Sequence, residues 1–285
     1  MQKALVTGGA GFIGTNLIKR LLKDGYEVVS IDNYSTGLKE NEQKNCTYVE
    51  LDITEIHKKH KSYWSKFDVV YHLAAIARIQ PSFNQPVSYF ETNALATMKI
   101  AEICAQSNIP LIYAGSSSHH AGQYSNPYTF SKSTGEEILH MFEVNYGLKF
   151  AIARFYNVYG PYQLTEGGYT TLIGRWINNI EKGLHCEIYG DGEQRRDFTH
   201  VDDIVDGLIL MHSDKAYRKT YELGRGCNHS VNEVAEMFGI NPEYKLPKPG
   251  EARDTLCESE DAKIDLGWYP KLNLSDYIMS WKNNL

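Results

Sequence analysis

The sequence predicts an α/β protein, a doubly wound parallel sheet carrying a smaller C-terminal α/β lobe. Three observations point there. Short β-branched runs alternate with helix-spaced apolar residues through the first half of the chain, the pattern of βαβ units. A glycine-rich stretch, Thr7-Gly8-Gly9-Ala10-Gly11-Phe12-Ile13-Gly14, links the first strand to the first helix. After residue 156 the alternation loosens, turns multiply, and Pro247-Lys248-Pro249-Gly250 marks a loop.

Taken in order, strands are predicted at 3–7, 27–32, 47–50, 69–73, 111–114 and 150–154. Between the first two, Leu17, Ile18, Leu21 and Leu22 repeat at helical spacing, and Gly25 stands where a helix-ending glycine belongs. A second helix carries Ala94, Met98, Ala101 and Ala105 and ends before Pro110. A third begins at Asn126-Pro127, an N-cap followed by proline at the first helical position, and runs to about Gly147.

A chain of 285 residues can bury a core without disulfides or metals, as one large domain or two intimately packed ones. The net charge of -6 comes from 29 basic and 35 acidic residues mixed along the chain, which argues against a nucleic-acid or anionic-membrane surface. Any anionic ligand must therefore meet locally placed cations. Met1-Gln2-Lys3 leads directly into the first strand and no apolar run is long enough to span a bilayer, so a cytoplasmic protein is expected. Cys46, Cys104, Cys186, Cys227 and Cys257 are scattered without a Cys-x-x-Cys spacing and read as reduced thiols, with no metal site. Lys58-Lys59-His60-Lys61 reads as a solvated face.

The glycine stretch gains meaning from its strand–turn–helix setting, which makes it a Rossmann-type dinucleotide cradle. Glycines let the backbone approach a pyrophosphate, and the helix N-terminus offers unpaired N–H groups and a partial positive charge. Asp32 ends the second strand, eighteen residues beyond Gly14, where its carboxylate would accept hydrogen bonds from ribose hydroxyls and repel a 2′-phosphate. NAD is favoured over NADP. Asp52-Ile53 would hold the adenine edge, or Asp52 would serve as a turn residue. Tyr128 and Lys132 lie four apart and project from one helix face, where the ammonium would favour the phenolate and make Tyr128 a base near neutral pH.

The set Thr7 to Gly14, Asp32-Asn33, Asp52-Ile53, His72-Leu73-Ala74-Ala75, Asn93, Ser116-Ser117-Ser118, Tyr128-Thr129-Phe130-Ser131-Lys132, Arg154 to Pro161 and Gly190 to Asp203 resembles the extended short-chain dehydrogenases. Within them it resembles the NAD-dependent sugar-nucleotide epimerase/dehydratase family, in the manner of UDP-glucose 4-epimerases, over nearly the whole chain. The resemblance implies that Gly8, Gly11 and Gly14 cradle the pyrophosphate, with backbone contacts from Phe12 and Ile13. It also implies that Asp32 and Asn33 hold the ribose, that Leu73, Ala74 and Ala75 line the cofactor, and that Asn93 supports their loop. Ser116 would join Tyr128 and Lys132 as the catalytic hydroxyl, with Ser117 second, and Lys132 would also bond the nicotinamide ribose. Asn157, Arg196 and Arg253 would meet the diphosphate of a nucleotide sugar, while Leu172 and Tyr189 would flank its base, most often uracil. Residues 1–156, completed by a segment near 196–215, would form the NAD-binding domain, 157–285 mainly the sugar-nucleotide lobe, and two copies a homodimer.

Two departures stand out. The segment from Ser116 to Tyr128 is shorter than the family's, and His119-His120 replace its usual Val-Tyr pair. These histidines read as general acids, sugar-hydroxyl ligands or polar loop residues, and without further ligands they do not make a metal site. The family's dehydratases place Asp-Glu after the catalytic hydroxyl, where this chain has Ser117 and Ser118. Epimerisation at C4 of a UDP-hexose is therefore the expected reaction, with a nucleotide-sugar reductase or dehydratase as the alternative. A non-catalytic NAD sensor or scaffold is the alternative of another class, and the intact Ser116, Tyr128 and Lys132 speak against it.

Overall fold

The protein is described from a computed structural model over residues 1–58 and 61–285. The side chains of Lys58, Lys61 and Ser62 fall outside the described set with Lys59 and His60, and so does the expected solvated face they carry. Seven strands form the main sheet: β1 (Lys3–Thr7), β2 (Glu27–Asp32), β3 (Cys46–Glu50), β4 (Val69–His72), β5 (Leu111–Ser116), β6 (Phe150–Phe155) and β7 (Lys219–Leu223). All pairings are parallel, in the order β7-β6-β5-β4-β1-β2-β3. The order reverses between β1 and β4, and a ligand crevice opens at the C-terminal ends of strands at such a switch point.

Side chains alternate across this sheet. Leu5, Val29 and Ile31 enter one core with Ala101, Leu111 and Leu139, whereas Ala4, Val6 and Val28 enter the opposite core with Leu17, Leu21 and Ile204. Fully burying each such Leu, Ile or Val stabilises by roughly 1.5–3 kcal/mol, so both faces must be covered by helices. Helix α1 (Phe12–Lys23) and helices 86–107 and 127–146 supply the cover near the crevice. The second of these bends through a π turn at Glu91–Leu95 before continuing as α2 (Ala96–Ser107). Helix α3 (Pro127–Tyr146) starts as its sequence dictates: the Asn126 side chain accepts the Thr129 N–H at 2.8 Å, Pro127 needs no partner, and Gly147 closes the helix at φ +68°.

Beyond β6 the chain builds a third core around Tyr159, Trp176, Ile188, Phe198, Val234 and Phe238. Helix α4 (Leu172–Glu181), capped by Thr171, and α6 (Val231–Phe238), capped by Ser230 with Glu233, frame it. Helix α5 (Val201–Leu210) returns to the main sheet, packing Ile204, Val205 and Leu208 against it, and β7 follows to add an edge strand.

Candidate active site

A cavity of about 1270 Å³ runs from the glycine turn, past the ends of β4 and β5, to the loops of the C-terminal lobe. At its first end the Gly8 backbone, at φ +73°, lies against the chain after β4: a Cβ there would meet the Ala74 nitrogen at 2.8 Å. A Cβ on Gly14 would meet the Gly8 carbonyl oxygen at 2.1 Å, so helix α1 packs this close to the turn only because position 14 has no side chain. Asp32 accepts the N–H groups of Ala10 at 2.9 Å and Tyr34 at 2.8 Å, and a carboxylate so held keeps lone pairs for ribose hydroxyls. Asn33 donates to Asp52 Oδ2 at 2.8 Å, while Asp52 Oδ1 accepts from the Thr54 nitrogen and hydroxyl. Asp52 is thus a turn residue and, with Ile53, a wall of the cavity. Phe12, Ile13, Leu73, Ala74 and Ala75 complete that wall.

Asn93 stands behind it. Its Nδ2 donates to the Ile76 carbonyl at 3.0 Å and to Ser131 Oγ at 3.0 Å, and its Oδ1 accepts from the Ile76 nitrogen at 2.9 Å. The loop after β4 is thereby fixed to α3 without Asn93 itself reaching the cavity.

In the middle of the cavity Tyr128 Oη donates to Ser116 Oγ at 3.2 Å. Ser116 caps the short turn Ser117–Ala121, accepting from the Ser118 nitrogen at 3.2 Å and exchanging a hydrogen bond with Ser118 Oγ at 2.9 Å. Ser117 lines the cavity but makes no bond to Tyr128 among the described contacts. Burial pushes the Tyr128 phenol above its ordinary range, opposed by the Ser116 hydrogen bond and the Arg78 guanidinium. Arg78 is thus a cation acting on Tyr128 that the helical spacing does not reveal. Lys132 is buried on the face of Tyr113 and its amine is brought down to about 7 by burial, against the pull of Glu136. His72 lies beside it, held by Thr7 Oγ1 at 2.7 Å and Thr97 Oγ1 at 3.0 Å and depressed to about 3 by burial and Lys132.

At the far end Asn157, Leu172, Tyr189, Arg196 and Arg253 all line the cavity. Arg196 is half-buried with Glu251 at 3.6 Å, whereas Arg253 forms an exposed bidentate pair with Asp191 at 2.7 and 2.9 Å. Asn157 Nδ2 donates to the Asp197 carbonyl at 3.1 Å and Thr255 Oγ1 at 3.2 Å, tying the end of β6 to the loop that carries Arg253. Three cations that sequence reasoning did not single out share this wall. Arg78 donates to the Tyr169 carbonyl at 2.9 and 2.5 Å, Arg175 to Thr170 Oγ1 at 3.0 and 2.9 Å, and Lys248 lies 3.5 Å from the Tyr189 ring centre. For Arg78 and Arg175 the sequence signal is a basic residue set in an apolar stretch, and Lys248 stands between the two prolines of its loop.

A parallel sheet with a glycine turn at its switch point, and a serine, tyrosine and lysine gathered past β5, define a Rossmann-type nicotinamide-dinucleotide enzyme. The chain belongs to the NAD dependent epimerase/dehydratase family, whose model matches residues 4–224, and its cofactor is NAD. It is 31% identical to a putative UDP-glucose 4-epimerase of Methanocaldococcus jannaschii, over 98% of each chain. It is likewise 31% identical to a UDP-glucuronate 4-epimerase of Thermodesulfobacterium geofontis, over 95% of this chain and 92% of that one. The crystal structure of UDP-glucose 4-epimerase with UDP-glucose from Thermotoga maritima superposes with a TM-score of 0.90 at 28% identity, covering 99% of both chains.

Proposed function

We propose that this enzyme epimerises a UDP-linked hexose at C4 through a 4-keto intermediate, with Ser116, Tyr128 and Lys132 as its catalytic residues. The observation carrying this reading is the Tyr128 Oη to Ser116 Oγ hydrogen bond of 3.2 Å, set midway along one cavity between the glycine turn and the arginine-bearing lobe. Bound NAD supplies reversible hydride acceptance at the sugar carbon. Tyr128 takes the proton of the C4 hydroxyl and returns it, and Ser116 holds that hydroxyl in line. Lys132, with an amine titrating near 7, exchanges charge with little penalty as the proton moves. Gly8, Gly11, Phe12, Ile13, Gly14, Asp32, Asn33, Asp52, Ile53, Leu73, Ala74 and Ala75 hold the cofactor in this reading, and Asn93 serves it from behind by fixing the loop after β4. Asn157, Leu172, Tyr189, Arg196 and Arg253 hold the uridine diphosphate.

In the same reading, residues 1–156 with the segment near 196–215 serve NAD, and 157–285 serve the sugar nucleotide. Two copies pair through the helices bearing Phe90, Leu95, Met98, Phe130 and Val144, all exposed in one chain. The free thiols suit a cytoplasmic enzyme, and no helix among the described residues is long and apolar enough to cross a membrane.

The test is incubation of purified protein with UDP-glucose, UDP-N-acetylglucosamine and UDP-glucuronate, with products followed by NMR. Appearance of a C4 epimer from at least one, abolished in Tyr128→Phe with NAD binding retained, is the expected result. Consumption of NADH by a keto-sugar nucleotide without any epimer would make the enzyme a reductase, and loss of water would make it a dehydratase. Retained epimerase turnover in Tyr128→Phe would overturn the role of that phenol, and NAD binding without any turnover would leave a sensor.

A further inference from the structure

Five ionisable groups that the catalytic reading leaves unused close a ring behind the serine turn. His120 Nε2–H donates to Glu222 Oε1 at 2.8 Å, and Arg154 Nη1 donates to the same oxygen at 3.1 Å. Arg154 Nη2 donates to Glu136 Oε2 at 2.6 Å, and Nε reaches both oxygens of Glu136. Glu136 Oε2 in turn lies 3.9 Å from His119 Nδ1, which is 3.3 Å from Ser133 Oγ. The ring begins and ends on the turn Ser117–Ala121 and passes through β7, β6 and α3.

Its charge decides the state of the histidines. Two carboxylates and one guanidinium leave a net charge of about -1 with both imidazoles neutral, and about zero with one imidazole protonated. Glu136, Glu222 and Arg154 expose only 4%, 11% and 14% of their side chains, so an uncompensated charge here is costly. His120 is the imidazole at hydrogen-bond distance from a carboxylate, and it also lines the cavity beside Ser116, Ser117 and Ser118 with its ring stacked on Tyr156.

We propose that His120, in its protonated form on Glu222, is a positioning residue that pins the serine turn to the sheet edge and so keeps Ser116 Oγ on Tyr128. The mechanical link is short. Ser116 caps the turn that ends in His120 and Ala121, bonds the nitrogen and hydroxyl of Ser118 within it, and bonds Tyr128 outside it. The groups facing His120 are Glu222 on β7, Arg154 on β6, Glu136 on α3, Tyr156 after β6, and His119 on its own turn. The Glu222 hydrogen bond raises His120 above the ordinary histidine range, opposed by burial and Arg154. His119 moves the other way, lowered by burial and by Arg154. Of the two imidazoles, the ring therefore favours the proton on His120.

This inference rests on the assignment of Ser116 and Tyr128, and the experiment separates the two. The kcat and KM for the sugar nucleotide are measured across pH 5.5 to 9.5 for the wild type, His120→Gln, His120→Lys, Glu222→Gln and Tyr128→Phe. Because the Glu222 hydrogen bond raises this histidine, wild-type kcat falls as pH rises through its pKa, at a pH above the ordinary histidine range. Glu222→Gln moves the fall to lower pH. His120→Gln removes it and lowers the plateau about tenfold, the scale of one lost hydrogen bond to a charged group, with KM changed less than about twofold. His120→Lys restores part of the plateau, with its fall displaced toward the lysine range. Wild-type kcat and an unchanged profile in His120→Gln, or an effect confined to KM, overturns the proposal. Should Glu222→Gln fail to fold, the two His120 variants decide alone. An active Tyr128→Phe sinks the site assignment and this inference with it, whereas an inert Tyr128→Phe beside a wild-type-like His120→Gln sinks this inference alone.

Discussion

The Lys132 ammonium sits buried 4.1 Å from the centre of the Tyr113 ring. A cation there gains from the ring's negative face, but burial outweighs the gain and lowers the amine from 10.5 to about 7. Between those values the unfolded chain holds a proton that the folded chain does not. Stability contributed at this site is therefore least below about pH 7 and grows as pH rises from there toward 10.5. Each unit corresponds to roughly 1.4 kcal/mol, so the burden near neutrality is on the order of a few kcal/mol.

Lys132→Met tests this. The cofactor-free variant should melt several degrees above wild type at pH 7 and lose that advantage by pH 9.5, while turnover collapses. Differential scanning calorimetry at both pH values checks it. A variant that melts lower at pH 7 would mean that the ammonium is paid for by contacts beyond the Tyr113 ring.

The glycine turn separates packing from ligand approach. At Gly14 a methyl group would collide with the Gly8 carbonyl oxygen at 2.1 Å, and both partners are backbone. At Gly11, with φ -82°, the corresponding distance is 3.3 Å and a small shift relieves it. Gly14→Ala should therefore destabilise even the cofactor-free protein by several kcal/mol, as overpacking against an immobile group does. Gly11→Ala should leave the cofactor-free melting temperature within a degree or two and weaken NAD about tenfold or more, by covering the helix N-terminus that a pyrophosphate approaches. Thermal melts with and without NAD read both effects.

The first six strands are readable to within two residues because β-branched runs between glycine and proline breaks have no other use in a parallel sheet, and α3 is readable because Asn126-Pro127 and Gly147 punctuate both its ends. Strand β7 escaped notice because Lys219–Leu223 is short and half polar, and earns its place only by pairing with β6, more than sixty residues earlier. Long-range pairings are the general limit. Nothing near His120 announces Glu222, 102 positions away, and nothing near Tyr128 announces Arg78. Arg196 and Arg253 were visible as cations but not their carboxylate partners, because ion pairs between loops leave no periodic trace.

Asn93 offers a test of the loop after β4. The π turn at Glu91–Leu95 aims its side chain at both backbone groups of Ile76 and at Ser131, beside Lys132. Asn93→Ala strands these partners, at about 1–3 kcal/mol for each that water does not reach. The expected result is a lower melting temperature, weaker NAD binding through the Leu73–Ala75 wall and a reduced kcat, with UDP affinity unchanged. A loss of UDP affinity of similar size would show instead that the loop braces the whole cavity.

The two arginines of the C-terminal lobe differ in what holds them. Arg253 is exposed and forked onto Asp191, an arrangement that solvent screens, so Arg253→Ala should leave the melting temperature unchanged. Arg196 is half-buried, its guanidinium donating to the Arg195 carbonyl at 2.9 Å, and desolvation disfavours its charge more than the Glu251 carboxylate at 3.6 Å favours it. A diphosphate in the cavity would give Arg196 the close counter-charge that Glu251 supplies only in part, whereas Arg253 must leave Asp191 to reach it. UDP should therefore raise the melting temperature of wild type and do so much less in Arg196→Ala, with Arg196→Lys no better because a point charge cannot replace the planar fork. Asp191→Asn should tighten UDP by freeing Arg253, and calorimetric titration of all four variants reads the difference. If Asp191→Asn weakens UDP instead, Asp191 orients Arg253 toward the phosphates rather than competing with them, and the exposed pair is part of the clamp.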